Sequence, residues 1–124
     1  MDITPLIPPG RQVIESYAGG RFRVSGTLYE GPLLVSPEQS TAWAANNFAS
    51  LDAASFAPII ALTPPIELLL IGCGPRLLLL PRPLREALKT RGIAVECMDT
   101  GAACRTYNVL MAEGRRVAAA LFST

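Results

Sequence analysis

Histidine is absent from this 124-residue sequence. Its absence removes Ser-His-Asp and Cys-His nucleophilic catalysis, imidazole zinc sites and imidazole proton transfer in one step. An excess of charge of one sign is also missing: 11 Lys and Arg stand against 10 Asp and Glu, for a net charge of +1. Nucleic acid is therefore not an expected partner, because a bulk binder needs a concentrated basic surface to release counterions from phosphates. Cysteine is scarce, and Cys73, Cys97 and Cys104 form an odd set with no C-x-x-C pair. The spacings fit no zinc pattern and no disulfide framework, so the expectation is three buried or partly buried free thiols in a reducing compartment. No metal or other cofactor is expected.

Long hydrophobic runs are missing too. The most apolar stretch, Ile59 to Leu80, is broken by Pro64, Pro65, Glu67, Gly72, Gly74, Pro75 and Arg76. It lacks the ~20 uninterrupted apolar residues of a membrane span and reads as core. The start, Met1-Asp2-Ile3-Thr4-Pro5, has an early acid and no basic n-region, so it does not read as a signal peptide. A cytoplasmic protein is the expectation.

What is present is apolar: 50% of residues are hydrophobic and only 17% charged, too greasy a balance for a disordered chain. The length suits one domain, expected over residues 1–124. Charge is mildly split, with net −2 over residues 1–60 and net +3 over 61–124. Ten of the eleven cations are Arg, whose planar fork suits carboxylate or phosphate pairing.

The N-terminal third reads as strands: 13–17 before a Gly19-Gly20 turn, 22–24, a bulge or tight bend at Ser25-Gly26-Thr27, 28–29, 33–35, and a segment 41–45 around Trp43. From residue 50 helix and strand alternate. Asp52 stands as N-cap before a helix over 53–62 that Pro58 must bend or shorten. Glu67 to Ile71 reads as a strand buried on both faces, and Leu77 to Leu80 as a second apolar strand. Pro83 opens a helix over 84–91 that Gly92 stops, followed by a strand over 93–97. Asp99 or Thr100 caps a helix over 101–113, and a last strand runs over 116–122. Strands separated by helices favour parallel pairing through right-handed crossovers. The expected architecture is α/β, with a mixed sheet covered by helices and an N-terminal β-rich layer.

Gly72-Cys73-Gly74 after a buried strand matches only the first half of a dinucleotide fingerprint, because Leu77 stands where a third Gly is needed and no helix follows at once. Tight turning is the plainer use of the two glycines. Cys73 at a strand end would be accessible enough to react, though nothing in the sequence visibly lowers its pKa. Small residues at 101–103 let a helix start pack against a strand end, where free N–H groups offer an anion pocket. Arg105 and Asn108 share one helix face there. The alternative is that Thr100 is a cap, Arg105 a solvated or ion-paired side chain, and Tyr107 part of a core stripe. Glu113 is placed to pair with Arg115 or reach back to Arg105, and no second carboxylate lies near it to form an acid–base dyad.

Four blocks add a resemblance: Glu67-Leu68-Leu69-Leu70-Ile71-Gly72-Cys73-Gly74, Gly92 to Thr100, Ala102 to Leu110, and Glu113-Gly114-Arg115. In order and spacing they resemble a family of uncharacterised domains that includes mitochondrial complex I assembly factor three and the adipogenesis-associated protein of similar fold. The likeness extends through Tyr17-Ala18-Gly19-Gly20-Arg21-Phe22 and the Trp43 segment. It implies three α/β layers, a central mixed five-stranded sheet covered by helices and an extra N-terminal antiparallel β layer. It also implies small stand-alone bacterial members, no established catalysis, and a protein partner in respiratory complex assembly. The family pattern marks Gly72, Gly74, Asp99, Thr100, Arg105, Tyr107, Asn108, Glu113 and Arg115, whereas Cys73 stands where Thr is usual. Two functions are thus expected: a non-catalytic binding or assembly factor, or a small-molecule or anion-binding protein, an alternative that includes an enzyme. The second places its cleft between the Gly72–Gly74 loop and the Thr100–Arg105 helix start. A redox role for Cys73 is a third.

Overall fold

Two tight turns build the first layer of the computed structural model, which describes residues 10–124; the acidic start at Met1–Pro5 lies outside the described residues. Strands β1 (Ile14–Ala18), β2 (Arg21–Val24) and β3 (Thr27–Glu30) form an antiparallel sheet. Ala18 pairs with Arg21 across Gly19 and Gly20, whose φ values are 60° and 76°. A two-residue hairpin whose twist matches its strands needs that positive-φ pair, and glycine adopts it without steric cost. Val24 pairs with Thr27 across Ser25 and Gly26, so the bend expected there is a second tight turn. The bulge lies earlier, between Ile14 and Ser16.

The second sheet has five strands: β4 (Leu33–Val35), β5 (Ser40–Ala42), β6 (Leu68–Gly72), β7 (Ala94–Met98) and β8 (Val117–Leu121). Their order is β5-β4-β8-β6-β7. β6 runs parallel to β7 and β8, whereas β4 is antiparallel to both β8 and β5. Helix α2 (Arg82–Thr90) carries the chain outward from β6 to β7, and α3 (Thr100–Ala112) carries it back to β8. Opposite directions with one hand of crossover put the two helices on opposite faces.

Residue alternation sorts the core accordingly. Leu69, Ile71, Ala118, Ala120 and Phe122 pack with Trp43, Phe56 and the α2 residue Leu88. Leu33, Val35, Leu70, Ala119 and Leu121 pack with Tyr107 of α3 and with Phe22 and Val24 of the first sheet. The layers implied by the family resemblance are those of the structure.

Three local expectations are corrected. The helix over 53–62 is a 3-10 turn, Ala53–Phe56, followed by the short α1 (Ala57–Ile60). Pro58 has no N–H to donate backward, so a helical run can only restart around it. Asp52 does cap the 3-10 turn, accepting from the Ser55 N–H at 3.1 Å. The strand expected over 77–80 is irregular chain, with Leu77, Leu78 and Leu79 exposed and only Leu80 buried. β6 already has a partner on each side, so no neighbouring ladder is left open to that segment at the strand's end. Trp43 lies just beyond β5, its indole N–H donating to the Ser55 carbonyl at 2.8 Å.

Candidate functional site

The carboxyl ends of β6, β7 and β8 meet at Thr100. Its backbone N–H donates to the Gly74 carbonyl at 2.9 Å. Its hydroxyl accepts from the Gly74 N–H at 2.9 Å and donates to the Phe122 carbonyl at 2.7 Å. The Phe122 N–H in turn donates to the Gly72 carbonyl at 2.9 Å. Thr100 is fully buried, so its hydroxyl ties three chain segments and is not an outward cap. The capping is done by Asp99, whose side chain accepts from the Ala102 N–H at 2.9 Å.

Gly72 shows why no side chain fits here. A Cβ on it would lie 2.9 Å from Leu121 Cδ2 and 3.0 Å from both Thr100 Cα and Oγ1. Thr100 itself therefore occupies the space between the Gly72–Gly74 loop and the start of α3. Of the first N–H groups of α3, those of Thr100 and Ala102 are already bonded, the latter to a carboxylate that repels anions. The Tyr17 side chain also lies over Gly101, its hydroxyl 3.0 Å and its Cε2 3.1 Å from where a Cβ would stand.

Cys73 is buried, not accessible. Its thiol donates toward the Leu78 carbonyl at 3.4 Å, and burial pushes its pKa up, the wrong direction for a nucleophile. Burial likewise holds the Cys104 thiol at about 12. Cys97 is half-buried, and all three cysteines are free.

The other marked residues do different work. Arg105 is exposed and donates from Nη1 to the Tyr17 hydroxyl at 2.6 Å, linking α3 to β1. Asn108 accepts from the Ile14 N–H at 2.9 Å and donates to the Ile14 carbonyl at 2.8 Å, as a neighbouring strand would. The Tyr107 hydroxyl donates to the Gln12 carbonyl at 2.8 Å, and burial raises its pKa. Glu113 and Arg115 are exposed at the far end of α3, roughly 20 Å from Thr100 by the helix rise. Among the described residues Glu113 pairs with neither Arg115 nor Arg105, the second being engaged with Tyr17 two turns away. The marked residues and Cys73 thus fall into three places, with Gly72, Cys73, Gly74, Asp99 and Thr100 together, Arg105, Tyr107 and Asn108 along the β1 contact, and Glu113 and Arg115 apart.

Two groups escaped the sequence reading. Glu38 accepts from both Nη atoms of Arg116 at 2.8 and 2.9 Å and from Arg11 at 2.5 Å. The Arg116 hydrogen bonds hold its carboxyl below the ordinary value, with the nearby Arg11 charge adding to them. No local signal announces a cluster drawn from residues 11, 38 and 116. Leu77, Leu78 and Leu79 are the other group, exposed by 55%, 38% and 71%. Their flanking prolines at 75, 81 and 83 were the available hint.

A family described as "Protein of unknown function (DUF498/DUF598)" matches residues 14–122. The chain is 39% identical over 112 residues to an uncharacterized protein of Rhodobacter capsulatus, covering 90% of this chain and 85% of that one. It is also 39% identical over 109 residues to NADH dehydrogenase (ubiquinone) 1 alpha subcomplex assembly factor 3 of Danio rerio. That match takes in 88% of this chain but only 63% of the assembly factor's length. A Bordetella parapertussis protein of known crystal structure superposes with a TM-score of 0.85 at 34% identity, over 94% of this chain and 100% of that one.

Proposed function

This chain belongs to the DUF498/DUF598 family of proteins of unknown function, and from that premise we propose that it is a non-catalytic binding protein that holds a subunit of a respiratory NADH dehydrogenase during assembly. It acts as a single α/β unit on the cytoplasmic side. The family includes assembly factors for that enzyme, which supports the partner class.

The observation that carries the reading is where the polar side chains point. Thr100, Tyr107 and Asn108 all bond to the chain's own backbone. A turnover site instead aims such groups at a reacting atom. A binding surface is available elsewhere, in an open hollow of about 440 Å³ walled by Ala54, Phe56, Ala57, Ile60, Leu84 and Ala87. Alanine walls against a half-buried leucine and isoleucine suit the apolar side chains of a partner, since hydrophobic contact asks only for shape and area.

The test fills the hollow. Ala57 and Ala87 are exposed, so Ala57→Trp with Ala87→Trp should leave the melting temperature unchanged. In the parent cell, deletion of the gene should lower the amount of assembled NADH dehydrogenase. The filled variant should fail to restore it, and dehydrogenase subunits should no longer co-purify with the variant. Normal assembly in the deletion strain would remove the proposal.

A further inference from the structure

We propose that the loop between β6 and α2 is a membrane-surface anchor that inserts its leucines into the headgroup region of an anionic bilayer. The inference stands on its own observations and does not depend on the assembly reading. Leu77, Leu78 and Leu79 are three consecutive leucines exposed by 55%, 38% and 71%, in a chain that exposes only two other large apolar side chains among the described residues, Leu28 and Val109. Consecutive exposed leucines at a loop tip are a concentration of apolar surface that soluble proteins keep for partners or membranes.

The loop is held out, not frayed. Leu80 is buried behind it, Cys73 donates to the Leu78 carbonyl, and Pro81 and Pro83 lead directly into α2. A tip fixed in this way loses little freedom when it inserts.

Charge decides the kind of partner. Residues 75–92 hold five of the eleven cations, Arg76, Arg82, Arg85, Lys89 and Arg91, and one acid, Glu86. That segment carries net +4 in a chain of net +1, so the rest of the molecule carries net −3. Arg76 is on the loop itself and Arg82 opens α2 beside it, whereas Arg85, also in the first turn, donates to the Val95 carbonyl of β7 at 3.5 Å. Lys89 follows roughly 10 Å further along the helix. The Arg82 side chain is 89% exposed, and its nearest acid, Glu86, is 3.9 Å away. Asp99, the acid at the neighbouring strand end, is occupied in capping α3. An apolar tip with a basic collar is the pattern of an interfacial anchor: leucines enter the acyl boundary while long cationic side chains reach the headgroups. The opposite charge on the remainder orients the positive end toward an anionic surface. Among the described residues no helix is long and apolar enough to cross a membrane; the loop's contact is with one leaflet only.

The experiment is co-sedimentation of the whole chain with vesicles of phosphatidylcholine alone and of equal parts phosphatidylcholine and phosphatidylglycerol. Binding is expected to the mixed vesicles only, and to weaken as salt rises. Leu77→Ser with Leu79→Ser should abolish it, and Arg76→Gln or Arg82→Gln should each weaken it about five-fold. A second readout covers the case in which the serine variant misfolds. Leu79→Trp should shift to bluer emission with mixed vesicles, whereas Trp43, buried in the core, reports nothing. Equal binding to both vesicle types, or a Leu79→Trp emission that vesicles leave unmoved, overturns the proposal. If that emission moves only when a dehydrogenase subunit is added, the loop is a protein contact and the anchor is equally refuted.

Discussion

Thr100 ties two strand ends together through one buried hydroxyl. The donor and the acceptor it satisfies, the Gly74 N–H and the Phe122 carbonyl, belong to different strand ends, and water does not reach the site. Thr100→Val keeps the shape and removes the hydroxyl, leaving both backbone groups buried and unpaired. Each such orphan costs about 1–3 kcal/mol, so stability should fall by about 2–6 kcal/mol, seen as a lower urea midpoint with an unchanged slope. Thr100→Ser should recover most of the loss, and a valine variant as stable as the parent would show that the hydroxyl is idle. The residues of this cluster were visible in the sequence, since Gly72, Gly74 and Thr100 all stand in the blocks that carry the family likeness. Their role was not. Hydrogen-bond partners 22 and 26 positions away leave no periodic trace, and a threonine beside an aspartate at a helix start looks the same whether it faces water or core. Cys73 illustrates the same limit: the sequence places it at a strand end, and only the fold puts Leu78 over it.

At the scale of elements, side-chain pattern fixes type wherever burial follows the period. β6 is legible as a continuous apolar run because both its faces are covered, and α3 is legible from its small residues and its Asp99 cap. Leu77–Leu80 has the same hydropathy as β6 and a different fate, because hydropathy does not say whether a ladder partner is free. The joint between the two sheets depends on α3. Asn108 bonds both backbone groups of Ile14, giving β1 on that side what a missing strand would give. Asn108→Ala should leave the five-stranded sheet intact and loosen the first sheet. Amide exchange in β1–β3 should rise by roughly tenfold, the effect of losing about 1.4 kcal/mol of local stability, while β6 and β8 keep their protection. Uniform acceleration across both sheets would instead mean that the two open as one unit.

Across the whole molecule the widest tie is ionic, and it has a pH signature. Glu38, in the turn between β4 and β5, receives Arg116 from the entry to β8 and Arg11 from the segment before β1. Arg116 also donates to the Pro64 carbonyl at 2.8 Å, drawing in the approach to β6. Three chain segments therefore meet on one carboxylate, and a fourth joins them through Arg116. The Arg116 hydrogen bonds come first among the causes that lower its pKa from the ordinary 4.5, and its partial burial opposes them. A carboxyl depressed on folding contributes stability that is fully present above the unfolded value and is lost as pH falls through the folded one. The parent should accordingly hold its stability down to pH 4.5 and lose it progressively below. Because the Glu38 side chain is 42% exposed, solvent screens the tie and its contribution is about 1 kcal/mol. Glu38→Gln should lower stability by that amount at neutral pH, with a shallower decline on the acid side, so that the two denaturation curves converge as pH falls below 4.5. Curves that run parallel from neutral to acid would place the pH dependence in other carboxylates and leave Glu38 as packing alone.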